Sequence, residues 1–177
     1  MAKPLSQLID KLDPAVVAAA RQKADQEIFE LRLAMLSEEF AVSQVELAKR
    51  LGISMVTTST GGHDASSAGD LAEQREHFLR RIGSLCDEAA NDGITICFET
   101  HGGLLATGAM AVDLLDAIGK ENTGINYDPG NVIFYGGVRP EEDILTCADR
   151  VVHMHVKDQI GGKGVWTFPV VGTGEID

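Results

Sequence analysis

The sequence is short of positive charge: 15 Lys and Arg stand against 27 Asp and Glu, a formal net charge of -12, and no Lys/Arg run occurs. A protein that grips a phosphate backbone concentrates cations, so nucleic acid is not expected as a partner. Long apolar runs are lacking too. No segment approaches the roughly 20 apolar residues of a membrane span, and residues 1–12 lack the apolar stretch of a secretory signal. No membrane is expected, and the protein reads as cytoplasmic. Cysteine is scarce, with only Cys86, Cys97 and Cys147, odd in number and widely spaced. That argues against a disulfide framework or a zinc knuckle and suits reduced thiols serving as small buried hydrophobes.

What is present is enough for a core. Of 177 residues 44% are hydrophobic, one domain's worth of chain. Asp13-Pro14 reads as a helix start, and Val17, Ala20, Ala24, Ile28, Leu31 and Met35 recur at three- and four-residue steps, an amphipathic helix. Ser37 caps a second helix, or continues the first, through Phe40, Val45 and Leu51 to Gly52. From Ile53 a β-branched run closed by Gly61-Gly62 reads as a strand and loop. The same unit then repeats: a helix over about 71–91, a strand Ile94–Glu99, a helix over 108–118, a strand Gly124–Asp128, a helix from Pro140 through Cys147, and a strand Val151–Val156. Residues 161–177 read as glycine-rich loop with a short hairpin around Phe168–Val171. Strand-helix alternation of this kind means an α/β fold with a parallel sheet. We expect one domain over residues 1–177, with a helical segment to residue 52 and βα units beyond it.

Side chains alternate across a strand, so in Val-Val-His-Met-His-Val-Lys-Asp, residues 151–158, His153, His155 and Lys157 share one face. Glu99 ends one earlier strand and Asp128 another. Their separations, 29 positions from Glu99 to Asp128 and 27 from Asp128 to His155, are each close to one βα step. The spacing predicts three metal-ligand side chains at corresponding heights on successive strands, at the C-terminal edge where parallel α/β folds place their chemistry. Two carboxylates and an imidazole suit Mn²⁺, Mg²⁺, Co²⁺ or Zn²⁺ alike. A lone acidic residue at a strand end is more often a helix cap; three in register argue for a site. His63 on the first loop reads as solvated. Gly161-Gly162-Lys163-Gly164 lacks the spacing of a phosphate-binding loop and reads as a lid, with Trp166 either the aromatic it brings over a substrate or its anchor.

Phe98-Glu99-Thr100-His101-Gly102, Tyr127-Asp128-Pro129-Gly130-Asn131, His153-Met154-His155-Val156-Lys157-Asp158 and Gly172-Thr173-Gly174-Glu175-Ile176-Asp177 resemble, in order and spacing, the xylose isomerase-like TIM-barrel superfamily, in particular its sugar phosphate isomerase/epimerase branch. The resemblance implies a partial (β/α)8 barrel whose clear strands are the fourth to seventh. It implies that Glu99, Asp128 and His155 hold a divalent metal, and that His101, Asn131, His153 and Lys157 line a pocket for a small carbohydrate. It further implies a metal-dependent isomerase or epimerase that removes a proton next to a carbonyl through an enediolate, a carboxylate moving the proton. In the family two metal-binding glutamates share that work, and Glu99 would be one. Lys157 either stabilises oxyanion charge or forms a salt bridge with Asp158 or Glu175. A dehydratase-type lyase of the same superfamily is an alternative, and a truncated non-catalytic relative or assembly subunit another. About four strands fall short of a barrel's eight, so a homodimer or a complementing chain is expected at the open sheet edges, with the Pro14–Met35 helix at the interface.

Overall fold

The computed structural model describes residues 44–60 and 68–177. The expected Pro14–Met35 helix, its interface role, Phe40 and His63 lie outside the described residues. The chain divides into two compact units, Met1–Leu47 and Ala48–Asp177. The sheet and the candidate site belong to the second, which is described by itself.

Helix α1 (Gln44–Leu51) ends at Gly52 in the left-handed conformation, φ 68°, with Ile53 N–H donating to the Ala48 carbonyl at 2.9 Å. That closes the helix and turns the chain into β1 (Met55–Thr58). Helix α2 (Ala68–Asn91) ends in the same way at Gly93 and feeds β2 (Thr95–Glu99). Helix α3 (Gly108–Ile118) has the expected bounds: Thr107 accepts from Met110 N–H at its start, and Gly119, φ 64°, ends it. Then comes β3 (Thr123–Tyr127), and later β4 (Val151–Met154). The four strands lie in the order β1-β2-β3-β4 and every pairing is parallel, a partial TIM barrel.

Alternation sorts the two faces of the central strands. Ile96, Phe98, Ile125 and Tyr127 are fully buried, and α2 and α3 pack beside β2 and β3 with Cys86, Ala111, Leu114 and Leu115 also buried. Phe78 on α2 meets Phe98 edge-on at 5.8 Å between ring centroids. Burying a large apolar side chain contributes about 1.5–3 kcal/mol, so this layer anchors the sheet. The opposite parity, Cys97 and Glu99, Asn126 and Asp128, carries the polar row.

The structure differs from the sequence reading in four places. Between Ile125 and Asn126 the β3–β4 register slips: Ile125 pairs with Val151 but Asn126 with His153, so Val152 is the extra residue of a bulge. It lies over Gly124, where any Cβ would collide with it. The expected helix from Pro140 through Cys147 is α-helical only over Pro140–Asp143, then tightens into 3₁₀ turns at Ile144–Thr146 and Ala148–Arg150. β4 stops at Met154, not Val156, although His155 N–H still donates to the Tyr127 carbonyl at 2.9 Å. Finally, residues 155–177 hold no hairpin. Their backbone donors turn instead to one carboxylate: Asp158 accepts from the N–H groups of Gln159, Gly172, Gly174 and Ile176 at 2.7–3.2 Å. The Gly174 N–H leads the influences that hold this carboxyl below its usual range.

Candidate functional site

Register decides how the polar row is built. Glu99 pairs with Asn126 and Asn126 with His153, so these three share one level, while Asp128 and His155 lie one layer further toward the C-terminal ends. The expectation of equal heights is therefore corrected: Glu99 starts lower, and its longer side chain makes up the difference. One donor atom from each of Glu99, Asp128 and His155 lies within 4.8 Å of the others. His155 Nδ1 is 3.4 Å from Glu99 Oε1 and 3.3 Å from Asp128 Oδ2. Among the described residues no other carboxylate, imidazole or thiol trio converges in this way.

Each member is held from behind. Asp128 is 2% exposed and caps the turn that begins at Pro129, its Oδ1 accepting from Asn131 N–H at 2.8 Å. The buried Thr100 hydroxyl accepts from Asp128 N–H at 2.7 Å, tying β2's end to β3's. Asn131 donates from Nδ2 to Glu99 Oε1 at 3.1 Å and accepts at Oδ1 from Lys157 Nζ at 2.7 Å. Lys157 also reaches Asp128 Oδ2 at 3.3 Å and sits 4.1 Å from the Phe168 ring centroid, a cation–π contact. Neither Asp158 nor Glu175 is its partner: Asp158 is taken up by backbone donors, and Glu175 accepts from Gly161 N–H at 2.9 Å.

After Asn131 the chain makes a π-helical turn, Val132–Gly136, closed by Gly137 with φ 70°. Such turns recur at functional sites because the extra residue re-aims side chains. Here it sends consecutive rings two ways. Tyr135 lies 5.2 Å from the His101 ring and over Gly102, where a Cβ would come within 2.8 Å of it. Phe134 meets Trp166 at 5.1 Å and Phe168 lies 5.0 Å from Trp166, each edge-on. Trp166 thus packs at its edge and remains 71% exposed. His101 Nδ1 lies 3.5 Å from Glu99 Oε1. His153, placed deeper than His155 on the strand, is exposed on this open face, not packed.

Charge follows from the geometry. Burial, the largest single influence on Glu99, raises its pKa, but hydrogen bonds from His101 and His155 outweigh it and hold the carboxyl at about 2. His155 is pushed up to about 10, first by its hydrogen bond to Asp128 and then by Glu99, against the opposing effect of burial. Two carboxylates around one imidazole are an anionic cluster that a proton partly neutralises, and a divalent cation in the proton's place fits the same donors.

A family profile described as Xylose isomerase-like TIM barrel matches residues 36–177. The chain belongs to the xylose isomerase-like TIM-barrel family. Among solved structures, a xylose isomerase domain protein from Planctomyces limnophilus is 25% identical, with a TM-score of 0.62 over 85% of this chain and 52% of that one. A probable 3-DHS dehydratase involved in petrobactin synthesis in Bacillus anthracis is 16% identical, with a TM-score of 0.56 over 86% of this chain and 58% of that one. A D-allulose 3-epimerase from Methylomonas sp. is 20% identical, with a TM-score of 0.56 over 76% of this chain and 46% of that one. The chain thus spans about half the length of these three solved proteins. No curated protein matches it.

The polar contacts of Asn126 and Thr100, and the aromatic contacts of Phe134, Tyr135 and Phe168, escape a residue-by-residue reading. One signal was available: Asn is depleted in strands, so an Asn inside the apolar run of β3 is out of place unless a polar partner waits for it.

Proposed function

We propose that this chain carries the metal-binding side of the active site of a sugar isomerase or epimerase, acting on a small sugar, sugar phosphate or polyol-derived ketone by removal of a proton next to the carbonyl. The convergence of Glu99, Asp128 and His155 within 4.8 Å, with Lys157 beside them, carries the reading. Glu99, Asp128 and His155 would hold a divalent cation, Mg²⁺, Mn²⁺, Co²⁺ or Zn²⁺. When bound, such an ion stabilises negative charge developing on adjacent substrate oxygens. Glu99 takes the proton, its unused lone pairs oriented by Asn131. His101, Asn131 and His153 hydrogen-bond substrate hydroxyls, and the exposed Trp166 covers an apolar sugar face. Lys157 donates toward the oxyanion from a position fixed by Asn131 and Phe168.

Native mass spectrometry with metal analysis tests the reading. Wild type is expected to hold one divalent ion per chain and Asp128→Ala none; retention of the ion by the variant overturns the ligand set. A lyase reading has the dehydratase relative in its favour and predicts loss of water with a conjugated carbonyl absorbance, whereas an epimerase leaves the formula unchanged.

Association belongs to the same proposal. Among the described residues β4 pairs on one side only; its own Val152 and Met154 are 48% and 44% exposed, and Val156 just after it is 79% exposed. An unpaired strand edge with apolar neighbours favours a second copy or a complementing chain. A monodisperse monomer at micromolar concentration in sedimentation velocity counts against it.

A further inference from the structure

Trp166 is the only tryptophan of the chain and lies at the centre of a three-residue turn, in which Thr167 N–H donates to the Val165 carbonyl at 3.1 Å. The turn before it is closed by Val165 N–H donating to the Gly162 carbonyl at 3.0 Å. Both turns are tied from inside by one side chain. Gln159 is fully buried, and its Nε2 donates to the Val165 carbonyl at 3.1 Å and to the Gly162 carbonyl at 3.4 Å. The amide cannot serve the other way round, since its oxygen would then face two acceptors. Its Oε1 has no partner among the described residues, so the two donations from Nε2 are the polar work of this side chain. Gln159 is itself anchored through its backbone: its N–H donates to Asp158 Oδ1 at 2.9 Å, and its carbonyl accepts from Glu175 N–H at 2.8 Å.

We infer that Gln159 is a positioning residue of the candidate site: its buried amide fixes Trp166 and Phe168 at the rim by holding the two turns that lead into them. A short chain of contacts joins these rings to the proposed metal ligands. Trp166 lies 5.0 Å from Phe168, the Phe168 centroid is 4.1 Å from Lys157 Nζ, and that ammonium is 3.3 Å from Asp128 Oδ2. At 71% exposure Trp166 gains little from burial, so the backbone of its turn sets where the ring stands. Gln159 in turn sets the backbone. Position 159 calls for two hydrogens on one atom, aimed at two carbonyls. A carboxylate of the same shape offers none, and a methionine fills similar space without donating.

That the rings face a substrate rests on the proposed function; the tie itself does not, and one experiment separates the two. Gln159→Met and Gln159→Glu are compared with the wild-type full chain by near-ultraviolet circular dichroism and by the fluorescence anisotropy decay of Trp166, with bound Zn²⁺ counted by native mass spectrometry. In Gln159→Met the fast local part of the decay is expected to grow about twofold, on the nanosecond scale of loop motion. The tryptophan ellipticity induced by the edge-on rings of Phe134 and Phe168 should fall with it. Gln159→Glu, which sets an acceptor against two acceptors, should exceed Gln159→Met in both signals. Zn²⁺ binding should match wild type in each variant, since Gln159 makes no hydrogen bond to Glu99, Asp128 or His155. A loss of overall stability alone would lower the urea midpoint and leave both native-state signals unchanged. Either variant, folded and with signals equal to wild type, overturns the inference. So does loss of Zn²⁺ from a folded variant, because the effect then is not confined to the rim. Absence of bound Zn²⁺ in wild type overturns the metal reading, while the Trp166 signals still decide the tie.

Discussion

β3 and β4 are adjacent parallel strands that each send residues to the same site, yet they live in different surroundings. Every residue of β3 is buried and the strand has a partner on each side. Among the described residues β4 has a partner on one side, with a bulge in its register and three of four residues exposed. The two carboxylates, Glu99 and Asp128, hang from the well-packed central pair β2 and β3. His155 and Lys157 follow the looser strand and are held by polar contacts to the Tyr127 carbonyl, Glu99, Asn126, Asp128 and Asn131, with the Phe168 ring against Lys157. One half of the site is placed by packing, the other by hydrogen bonds to the first half.

The sharpest way to break that dependence is Asp128→Ala. It removes a proposed ligand, the cap on Asn131 N–H and the partner of His155 and Lys157 together. We expect complete loss of bound metal, with about 1 kcal/mol or more of stability lost through the cap alone, measured by urea unfolding. A comparison of strands comes next. Phe98→Ala, emptying a fully buried position on β2, should cost about 3–5 kcal/mol, and Met154→Ala on β4 only about 0.5 kcal/mol or less. Equal costs would mean that β4 is covered in solution, the result expected if copies associate along it.

A smaller effect concerns pH in the metal-free protein. His155 has its pKa raised to about 10, so its contribution to stability is complete below its unfolded value of about 6.5 and is lost as pH rises through 10. Glu99 is depressed to about 2, so its contribution is complete above its unfolded value near 4.5 and is lost as pH falls through 2. Both are in force between about pH 4.5 and 6.5. Urea midpoints should decline on the alkaline side, and His155→Gln should flatten that limb. The smallest effect is an expected null result. Burial pushes the Cys97 thiol to about 11, and burial first, then Asp143, does the same for Cys147. Neither should react with an aromatic disulfide reagent at pH 8 until the protein unfolds.

How much of this was legible beforehand follows the same divide. β2, β3 and α3 could be read with nearly correct ends, because apolar alternation, the Thr107 cap and Gly119 are local signals. The choice of Glu99, Asp128 and His155 as a group came from their spacing. Relative height did not: Glu99 lies below Asp128 because the β2–β3 register pairs it with Asn126, and His155 is level with Asp128 only through the bulge at Val152 opposite Gly124. The failure of the helix beyond Asp143 has a similar source. The Asp143 carboxylate is buried and engaged by Gly108 N–H at 2.8 Å and the Tyr127 hydroxyl at 3.0 Å, both distant in sequence. The absent hairpin at Phe168–Val171 was lost to Asp158, whose four donors no local pattern announces.

That Asp158 knot has a bearing on how such a protein can change. One carboxylate fastens residue 159 to residues 172, 174 and 176, so the chain between them leaves and returns through a single tied point. Lengthening a segment closed in this way costs only about 0.6 kcal/mol per doubling. The stretch holding Trp166 can therefore be redrawn while Glu99, Asp128 and His155 stay where the sheet puts them.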